Sequence, residues 1–161
     1  MYALNEERPG DLQEIEELYD LCFAPGRGAL SSYRLREGRE PVAGLCVAAR
    51  DGTGALVAAV RHWSVAVDSH PALLLGPLAV HPTRQGEGLG ASVIADSLAK
   101  ARARGWQRVL LVGDQPYFGR LGFVRLNGVE MPPPTNPDRI LGLALTPGAW
   151  DGISGKVTAA C

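Results

Sequence analysis

The chain has 161 residues, of which 46% are apolar and 20% are charged, and its formal net charge is -1. This length and composition predict one domain with its own hydrophobic core, covering residues 1–161. A near-neutral chain has no general attraction for nucleic acid or an anionic membrane, so neither is expected as a partner. No apolar run approaches the roughly 18 residues of a membrane span, and the first residues do not resemble a secretory signal.

The cysteines indicate the redox environment. Cys22, Cys46 and Cys161 are widely spaced and include no C-x-x-C pair. An odd number with this spacing fits neither a disulfide framework nor a zinc site, so no metal is expected. A reducing, cytoplasmic location suits them.

The first predicted element is a helix that begins after Pro9-Gly10. Asp11 stands at its N-cap position and Glu14 follows three residues later, which is the spacing of a capping box. One face of this helix carries Leu12, Ile15, Leu18, Tyr19 and Cys22. Residues 24–39 are rich in Gly, Ser and Arg, which predicts a loop with a short second helix.

Three strands are predicted next. Residues 42–49 and 56–67 are β-rich, and the turn-forming residues 51–54 between them predict an antiparallel hairpin. Residues 72–80 continue the sheet. After the next helix, residues 109–112, 123–126 and 140–145 are predicted strands, with a short helix at 117–121 and a stiff proline-rich connection from 131 to 137.

The most informative segment is Gln85-Gly86-Glu87-Gly88-Leu89-Gly90, which we call the glycine cradle (residues 85–90). Alternate glycines permit positive φ and close approach of the backbone to a ligand. The helix predicted at 88–104, with Gly105 at its C-cap, adds unpaired N–H groups and a positive dipole end. Its inward residues are Leu89, Val93, Ile94, Leu98 and Ala101. The cradle is therefore either a diphosphate site or an ordinary glycine-rich turn; it fits neither the Walker signature nor the dinucleotide fingerprint.

The spacing Q-x-x-G-x-G in the glycine cradle resembles the pyrophosphate motif of the GCN5-related N-acetyltransferases (GNAT). Residues 113–123, Gly-Asp-Gln-Pro-Tyr-Phe-Gly-Arg-Leu-Gly-Phe, are similar to the G-D-x-x-Y-Y-x-R-F-G-F segment of one bacterial branch of predicted acetyltransferases. The likeness extends to Pro147-Gly148-Ala149 and Ser154-Gly155. It implies a single-domain α/β fold, with a mixed, mostly antiparallel sheet flanked by helices and a splayed strand at the coenzyme A site.

The resemblance also implies acetyl-CoA as co-substrate and residues 24–39 as a border of the acceptor site. A homodimer through the final strands is possible in this family. Main-chain N–H groups around Leu78, Ala79 and Val80 are expected to polarise the acyl carbonyl. The complete set of implied coenzyme contacts is Leu78, Ala79, Val80, Gln85, Gly86, Glu87, Gly88, Leu89, Gly90, Ala91 and Phe118.

The implied reaction is direct attack of a primary amine, on a small molecule or a peptide N-terminus, upon the thioester in a ternary complex. A lysine-like amine is neutral only about 0.04% of the time at pH 7 and needs a base, whereas an α-amine barely does. The titratable groups near predicted strand ends are Asp68, His70, His81 and Asp114, and nothing in the sequence selects one. No serine or cysteine constellation indicates a covalent intermediate.

One departure from the family concerns the proton donor. Many members carry a tyrosine where this chain has Phe118, so its neighbour Tyr117 is either the acid or a core residue. If no side chain donates a proton to the departing thiolate, the alternative hypothesis is that the chain is a weakly active acyl-CoA-binding module. Glu87 would repel a diphosphate, so its carboxylate is expected to point outward. Arg84 and Arg120 either meet phosphate or are solvated, and Trp63 and Trp150 either shape an acceptor pocket or fill the core.

Overall fold

A computed structural model describes residues 2–23 and 34–160. Within these ranges the α-helices are α1 Leu12–Cys22, α2 Leu89–Ala103 and α3 Gln115–Gly119. The strands are β1 Ala3–Glu6, β2 Val47–Arg50, β3 Leu56–Val67, β4 His70–Val80, β5 Arg108–Val112, β6 Val124–Arg125, β7 Val129–Glu130, β8 Ile140–Ala144 and β9 Gly155–Ala159. None of these helices has the length and apolar character needed to cross a membrane.

The sheet has the strand order β1-β2-β3-β4-β5-β8-β6, with β9 paired to β3 and β7 paired to β9. Among the described strands the parallel pairs are β4 with β5 and β7 with β9. The other pairs are antiparallel. The predicted fold class, a mixed and mostly antiparallel sheet flanked by helices, is therefore confirmed.

The predicted hairpin of β2 and β3 is present, but β2 is shorter than expected. Its turn is stabilised by Asp51, whose Oδ1 accepts the N–H groups of Thr53 at 2.9 Å and Ala55 at 3.1 Å. The segment just before β2 forms a turn instead of a strand, because the N–H of Leu45 donates to the carbonyl of Val42. The prediction that the strand begins at 42 was wrong for this reason.

Helix α1 lies where it was predicted, and Asp11 is its N-cap residue, but the predicted side-chain capping box is absent. The carboxylate of Asp11 accepts the N–H of Arg8, at the start of a preceding 3-10 turn, instead of capping α1. Asp11 and Glu14 both accept hydrogen bonds from the guanidinium of Arg50 on β2, at 2.8 and 2.9 Å. Leu12, predicted on the buried face, is 54% exposed. The prediction for residues 24–39 falls largely on 24–33, outside the described residues.

Helix α2 packs against the sheet as the sequence predicts. Its buried residues include the five predicted ones, which contact strand residues such as Val47, Val57 and Val109. The helix ends before Gly105, whose φ of 86° lies in the left-handed region that favours glycine.

The sequence missed three short strands, β1, β7 and β9. β1 pairs with β2, and β9 pairs with Val65–Val67 of β3, so β8 is not the final strand. β1 and β9 are short and largely exposed, with burial patterns that contain little apolar alternation, and β7 has two residues. Their position depends on long-range pairing that a local pattern does not reveal.

His62 of β3 is a fully buried titratable group of the core. Its Nε2 lies 2.9 Å from Oγ of Ser97, while Oγ of Ser97 donates to the carbonyl of Ile94. Ser97 therefore accepts from Nε2–H, and Nδ1 carries the lone pair, with no partner among the described residues. Burial lowers the pKa of His62 from 6.5 to about 4.

This burial predicts a loss of stability in acid. The folded-state pKa of His62 lies below the unfolded value, so its contribution is intact above pH 6.5 and is lost as the pH falls towards 4. Between pH 7.5 and 4.5 the loss is on the order of 2–3 kcal/mol of unfolding free energy. Urea denaturation of wild type and His62→Gln at both pH values measures it. Between the two pH values, His62→Gln should lose less unfolding free energy than wild type by this amount. An equal loss of unfolding free energy in both proteins would contradict the prediction. His70→Gln, at a half-exposed histidine, is the control.

Candidate active site

The central strands β4 and β5 pair only briefly and then separate. Their parallel register covers Leu73 with Val109 and Leu74 with Leu110. Just beyond, β4 carries a bulge in which Gly76 and Pro77 lie opposite the single residue Arg61 of β3. Gly76 has a φ of 137°, which favours glycine. A gap between the two strands therefore opens at the bulge, as the predicted splay requires.

The main chain of β4 beyond the bulge faces this gap at alternate residues. The N–H of His81 donates to the carbonyl of Val57 at 2.7 Å, and Ala79 is the next hydrogen-bonded position, opposite Ala59. Since antiparallel pairs alternate, the N–H groups of Leu78 and Val80 point away from β3, into the gap. Ala79, predicted with them, directs its N–H into the sheet.

A groove of about 810 Å³ continues from this gap. Every predicted site residue lines the groove except Ala79 and Glu87. The lining residues are Leu78, Val80, Arg84, Gln85, Gly86, Gly88, Leu89, Gly90, Ala91, Asp114, Tyr117, Phe118, Arg120 and Leu121. A second cavity of about 620 Å³ lies apart from it, between the β7–β9 pair and the proline-rich segment.

The glycine cradle forms one wall of the groove. Gly86 and Gly88 have φ values of 86° and 77°, and Gly88 is the N-cap of α2 with no side-chain cap. The first-turn N–H groups of α2 are therefore available to an anion, and the helix dipole favours negative charge there. The side-chain amide of Gln85 is held by β4, since its Nε2 donates to the carbonyl of Val80 at 3.2 Å.

The two charged side chains beside the cradle, Glu87 and Arg84, form contacts with residues that are distant in the sequence. The Glu87 carboxylate accepts a hydrogen bond from the hydroxyl of Tyr2 and does not line the groove, which matches its expected outward direction. Arg84 lines the groove and forms an ion pair with Asp51 at 2.9 Å. Hydrogen bonds from Thr53 and Arg84 hold the pKa of Asp51 well below its usual range. Sequence reasoning missed both Tyr2 and Asp51.

Comparisons with known proteins agree with this geometry. A sequence model described as the Acetyltransferase (GNAT) family matches residues 12–123. The chain belongs to the GNAT acetyltransferase family. No curated protein sequence matches it.

Solved structures of GNAT proteins have the same fold. The GNAT family N-acetyltransferase YhbS of Escherichia coli, in complex with CoA, has a TM-score of 0.83 at 23% identity, covering 99% of this chain and 89% of that chain. A GNAT acetyltransferase of Brucella melitensis, in complex with acetyl-CoA, has a TM-score of 0.75 at 25% identity, covering 100% and 97%. The E. coli ribosomal-protein-S18-alanine N-acetyltransferase has a TM-score of 0.64 at 19% identity, covering 91% and 95%.

Within this GNAT fold, Tyr117 and Phe118 face different surroundings. The Tyr117 hydroxyl lies 2.6 Å from where a β-carbon at Gly90 would stand, beside the cradle. Phe118 packs edge-on against Phe123, with ring centroids 5.9 Å apart, although part of it also lines the groove. Partial burial raises the pKa of Tyr117 above its ordinary value of 10.0, so the hydroxyl keeps its proton at neutral pH.

The four titratable groups considered as bases are not brought together. Nδ1 of His81 accepts the N–H of Thr83 at 3.2 Å and caps a 3-10 turn. His70 and Asp68 lie at the β3–β4 turn, where Nδ1 of His70 lies 3.3 Å from the carbonyl of Val67. Of the four, Asp114 alone lines the groove. Among the described residues, no three His, Cys, Asp or Glu side chains form a group that could hold a metal ion.

The remaining candidates divide between the groove and the core. Arg120 is exposed and lines the groove. Trp63 is buried, and its indole N–H donates to the carbonyl of Gly76 at 2.6 Å. The indole N–H of Trp150 donates to the carbonyl of Leu143 at 3.1 Å. Trp150 packs at the edge of the apolar cluster that contains Trp63. Both tryptophans thus contribute to the core, and Trp63 also touches the bulge.

Reversing the charge of Glu87 should strengthen anion binding. At about 6 Å, a charge beside a diphosphate in water-like surroundings changes affinity modestly, so Glu87→Arg should tighten coenzyme A binding roughly threefold at low salt. Isothermal titration calorimetry measures the dissociation constant. Glu17→Arg on the exposed face of α1 makes the same change in net charge and should have no effect. A weaker or unchanged affinity in Glu87→Arg would contradict the position of the diphosphate.

Proposed function

We propose that this chain is an N-acetyltransferase that takes acetyl-CoA as co-substrate and transfers the acetyl group to a primary amine by direct attack in a ternary complex. The observation that carries the proposal is the groove itself, which joins the glycine cradle to the gap beside the β4 bulge. The GNAT proteins of E. coli and B. melitensis, crystallised with CoA and acetyl-CoA, support it.

In the proposed complex the coenzyme lies along the groove. Its diphosphate meets the main-chain amides of residues 86–91, at the start of α2. The pantetheine extends along β4, where the gap-facing main chain of Leu78 and Val80 can pair with its amides in the manner of an added strand. The thioester then lies near the bulge, with the N–H of Leu78 available to its carbonyl oxygen.

The chemical step needs a polarised carbonyl and an acceptable leaving group. Tyr117 is the proposed proton donor to the departing thiolate, and its protonated hydroxyl beside Gly90 supports this role. A coenzyme A thiol with a pKa near 8.5 can also leave unprotonated, so the donor accelerates the step instead of enabling it. The position of the Tyr117 hydroxyl argues against the alternative of a weakly active acyl-CoA-binding module, whose main support was Phe118 at the donor position.

The acceptor is proposed to be the primary amine of a small molecule or a peptide N-terminus. An α-amine with a pKa near 7.8 is neutral about 14% of the time at pH 7 and needs no strong base. This suits a groove in which Asp114 is the one carboxylate among the described lining residues. The proposed enzyme is one domain over residues 1–161, with a homodimer through the C-terminal strands as its assembly. Analytical ultracentrifugation distinguishes the dimer from a monomer.

Two measurements, made one after the other, test the proposal. Calorimetry with acetyl-CoA should detect saturable, one-site binding to the purified chain. Release of free thiol from acetyl-CoA is then followed across polyamines, amino acids, aminoglycosides and peptides with free N-termini, and at least one class should give turnover well above hydrolysis. Absence of binding would overturn the proposal. Tight binding with no turnover on any acceptor would replace it with the acyl-CoA-binding module.

A further inference from the structure

Side-chain donors hold the carbonyl groups of β4 around its bulge. The indole N–H of Trp63 donates to the carbonyl of Gly76 at 2.6 Å, and the hydroxyl of Tyr19 donates to the carbonyl of Pro77 at 3.2 Å. Further along, Sγ of Cys22 and Nε2 of Gln85 lie 3.3 and 3.2 Å from the carbonyl of Val80. Because the bulge interrupts the β3–β4 ladder, Trp63 and Tyr19 replace backbone partners that a regular strand would supply to Gly76 and Pro77. The carbonyl of Val80 lies beyond the bulge and faces away from β3.

The hydrogen bond from Tyr19 has a geometric consequence for Leu78. The carbonyl of Pro77 and the N–H of Leu78 belong to the same peptide plane, and in a trans peptide they point in opposite directions. A donor that fixes this carbonyl on one side therefore fixes the N–H on the other side. The same N–H faces the gap between β4 and β5, as the β3–β4 register independently requires. A hydrogen bond to the carbonyl also polarises the peptide and strengthens its N–H as a donor.

Tyr19 is itself held firmly. Its side chain is buried, and burial raises the pKa of its hydroxyl far above the ordinary value, so it remains a donor across the working range. The guanidinium of Arg61 lies over its ring at 5.4 Å from the centroid. Arg61 is anchored in turn by Glu7 at 2.9 Å and Glu16 at 3.2 Å. The phenol therefore has little freedom to follow a rotating peptide.

Trp63 fixes the other end of the bulge. It is 8% exposed, and the guanidinium of Arg36 lies 5.9 Å from its ring centroid. The carbonyl that it holds, that of Gly76, begins the segment in which glycine permits a φ of 137°. Without this contact, a glycine at this position has other conformations available at low cost. Tyr19 from α1 and Trp63 from β3 thus hold two successive carbonyl groups.

We propose that Tyr19 and Trp63 are positioning residues for acetyl transfer, which hold the β4 bulge so that the N–H of Leu78 is aimed at the acyl carbonyl oxygen of bound acetyl-CoA. This inference rests on the proposed function. Neither side chain touches the substrate: each acts through the peptide that it holds. A preorganised N–H donor stabilises the negative charge that develops on the carbonyl oxygen in the transition state. Its loss should therefore lower kcat and leave substrate binding nearly unchanged.

The test uses Tyr19→Phe and Trp63→Phe, which retain the aromatic ring and remove the donor. Acetyl-CoA labelled with 13C at the acetyl carbonyl reports polarisation through its infrared stretching frequency, which should fall when it binds wild type. In each variant this fall should be smaller, and kcat should drop roughly tenfold, less than the 100- to 1000-fold loss seen when an oxyanion donor is removed outright. The KM and dissociation constant for acetyl-CoA should stay within about twofold of wild type.

Trp150→Phe is the matched control, because its indole also donates to a main-chain carbonyl, that of Leu143, outside the groove. It should leave the frequency and kcat unchanged. If wild type binds no acetyl-CoA, the proposed function fails first. If wild type binds it with a lowered frequency, and the folded variants show the same frequency and kcat, the positioning role is overturned. A loss of affinity at an unchanged frequency overturns it as well, since it would indicate a purely structural role. Trp63→Phe keeps the test decisive should Tyr19→Phe not fold.

Discussion

Gly90→Val is expected to weaken coenzyme A binding by on the order of 100-fold while the chain remains folded. A β-carbon at Gly90 would stand 2.6 Å from the hydroxyl of Tyr117, 3.4 Å from Cγ2 of Val80 and 3.7 Å from Cδ2 of Leu78. All three residues line the groove, so the valine side chain would occupy space that the coenzyme needs. The tightest contact is with the end of a flexible side chain, which can move, so the fold should tolerate the change.

Calorimetry with coenzyme A measures this loss, and thermal melts report folding. Ala99→Val, at an exposed position on the same helix, has a similar β-branched side chain and should bind coenzyme A as wild type does. A dissociation constant for Gly90→Val within twofold of wild type would mean that the coenzyme does not lie against the start of α2.

Tyr117→Phe should lower kcat by on the order of 100-fold with little change in KM for acetyl-CoA. The expected loss lies at the low end for a general acid, because the coenzyme A thiolate can leave without a proton. Since burial raises the pKa of Tyr117 above 10.0, wild type should show no loss of activity from this group below about pH 10. The rate of thiol release with the fastest acceptor of the panel, measured against pH, checks both statements.

A second variant separates the two adjacent rings. Phe118 packs against Phe123, so adding a hydroxyl there should not supply the missing proton. The double variant Tyr117→Phe with Phe118→Tyr should therefore remain as slow as Tyr117→Phe alone. Recovery of kcat in the double variant, or full activity of Tyr117→Phe, would remove Tyr117 from the proposed mechanism.

The parts of the site that are local in sequence could be predicted from the sequence. The glycine cradle and the inward face of α2 depend on backbone freedom and on helical period, which neighbouring residues encode. Tyr117 could be identified as a candidate, but its direction could not, because that depends on the space left beside Gly90. The hydrogen bond between Tyr2 and Glu87 joins residues 85 positions apart, and no local pattern signals it.

Several of the predictions failed because distant residues supply the partners. Asp11 and Glu14 have the spacing of a capping box, yet Arg50 on β2 binds both carboxylates. Strands β1 and β9 lack the apolar alternation that identifies a half-buried strand, so pairing with β2 and β3 defines them. Chain topology decided these elements, and a single sequence contains little information about it.

Binding of the coenzyme A diphosphate by the main-chain amides of residues 86–91 is tested most directly by titrating 15N-labelled protein with coenzyme A and following the amide resonances. Those of Gly86, Gly88 and Gly90 should shift strongly and saturate together, while that of Gly105, at the far end of α2, should not move. Unchanged cradle resonances at saturating coenzyme A, or shifts confined to the second cavity around Gly128, would contradict the assignment.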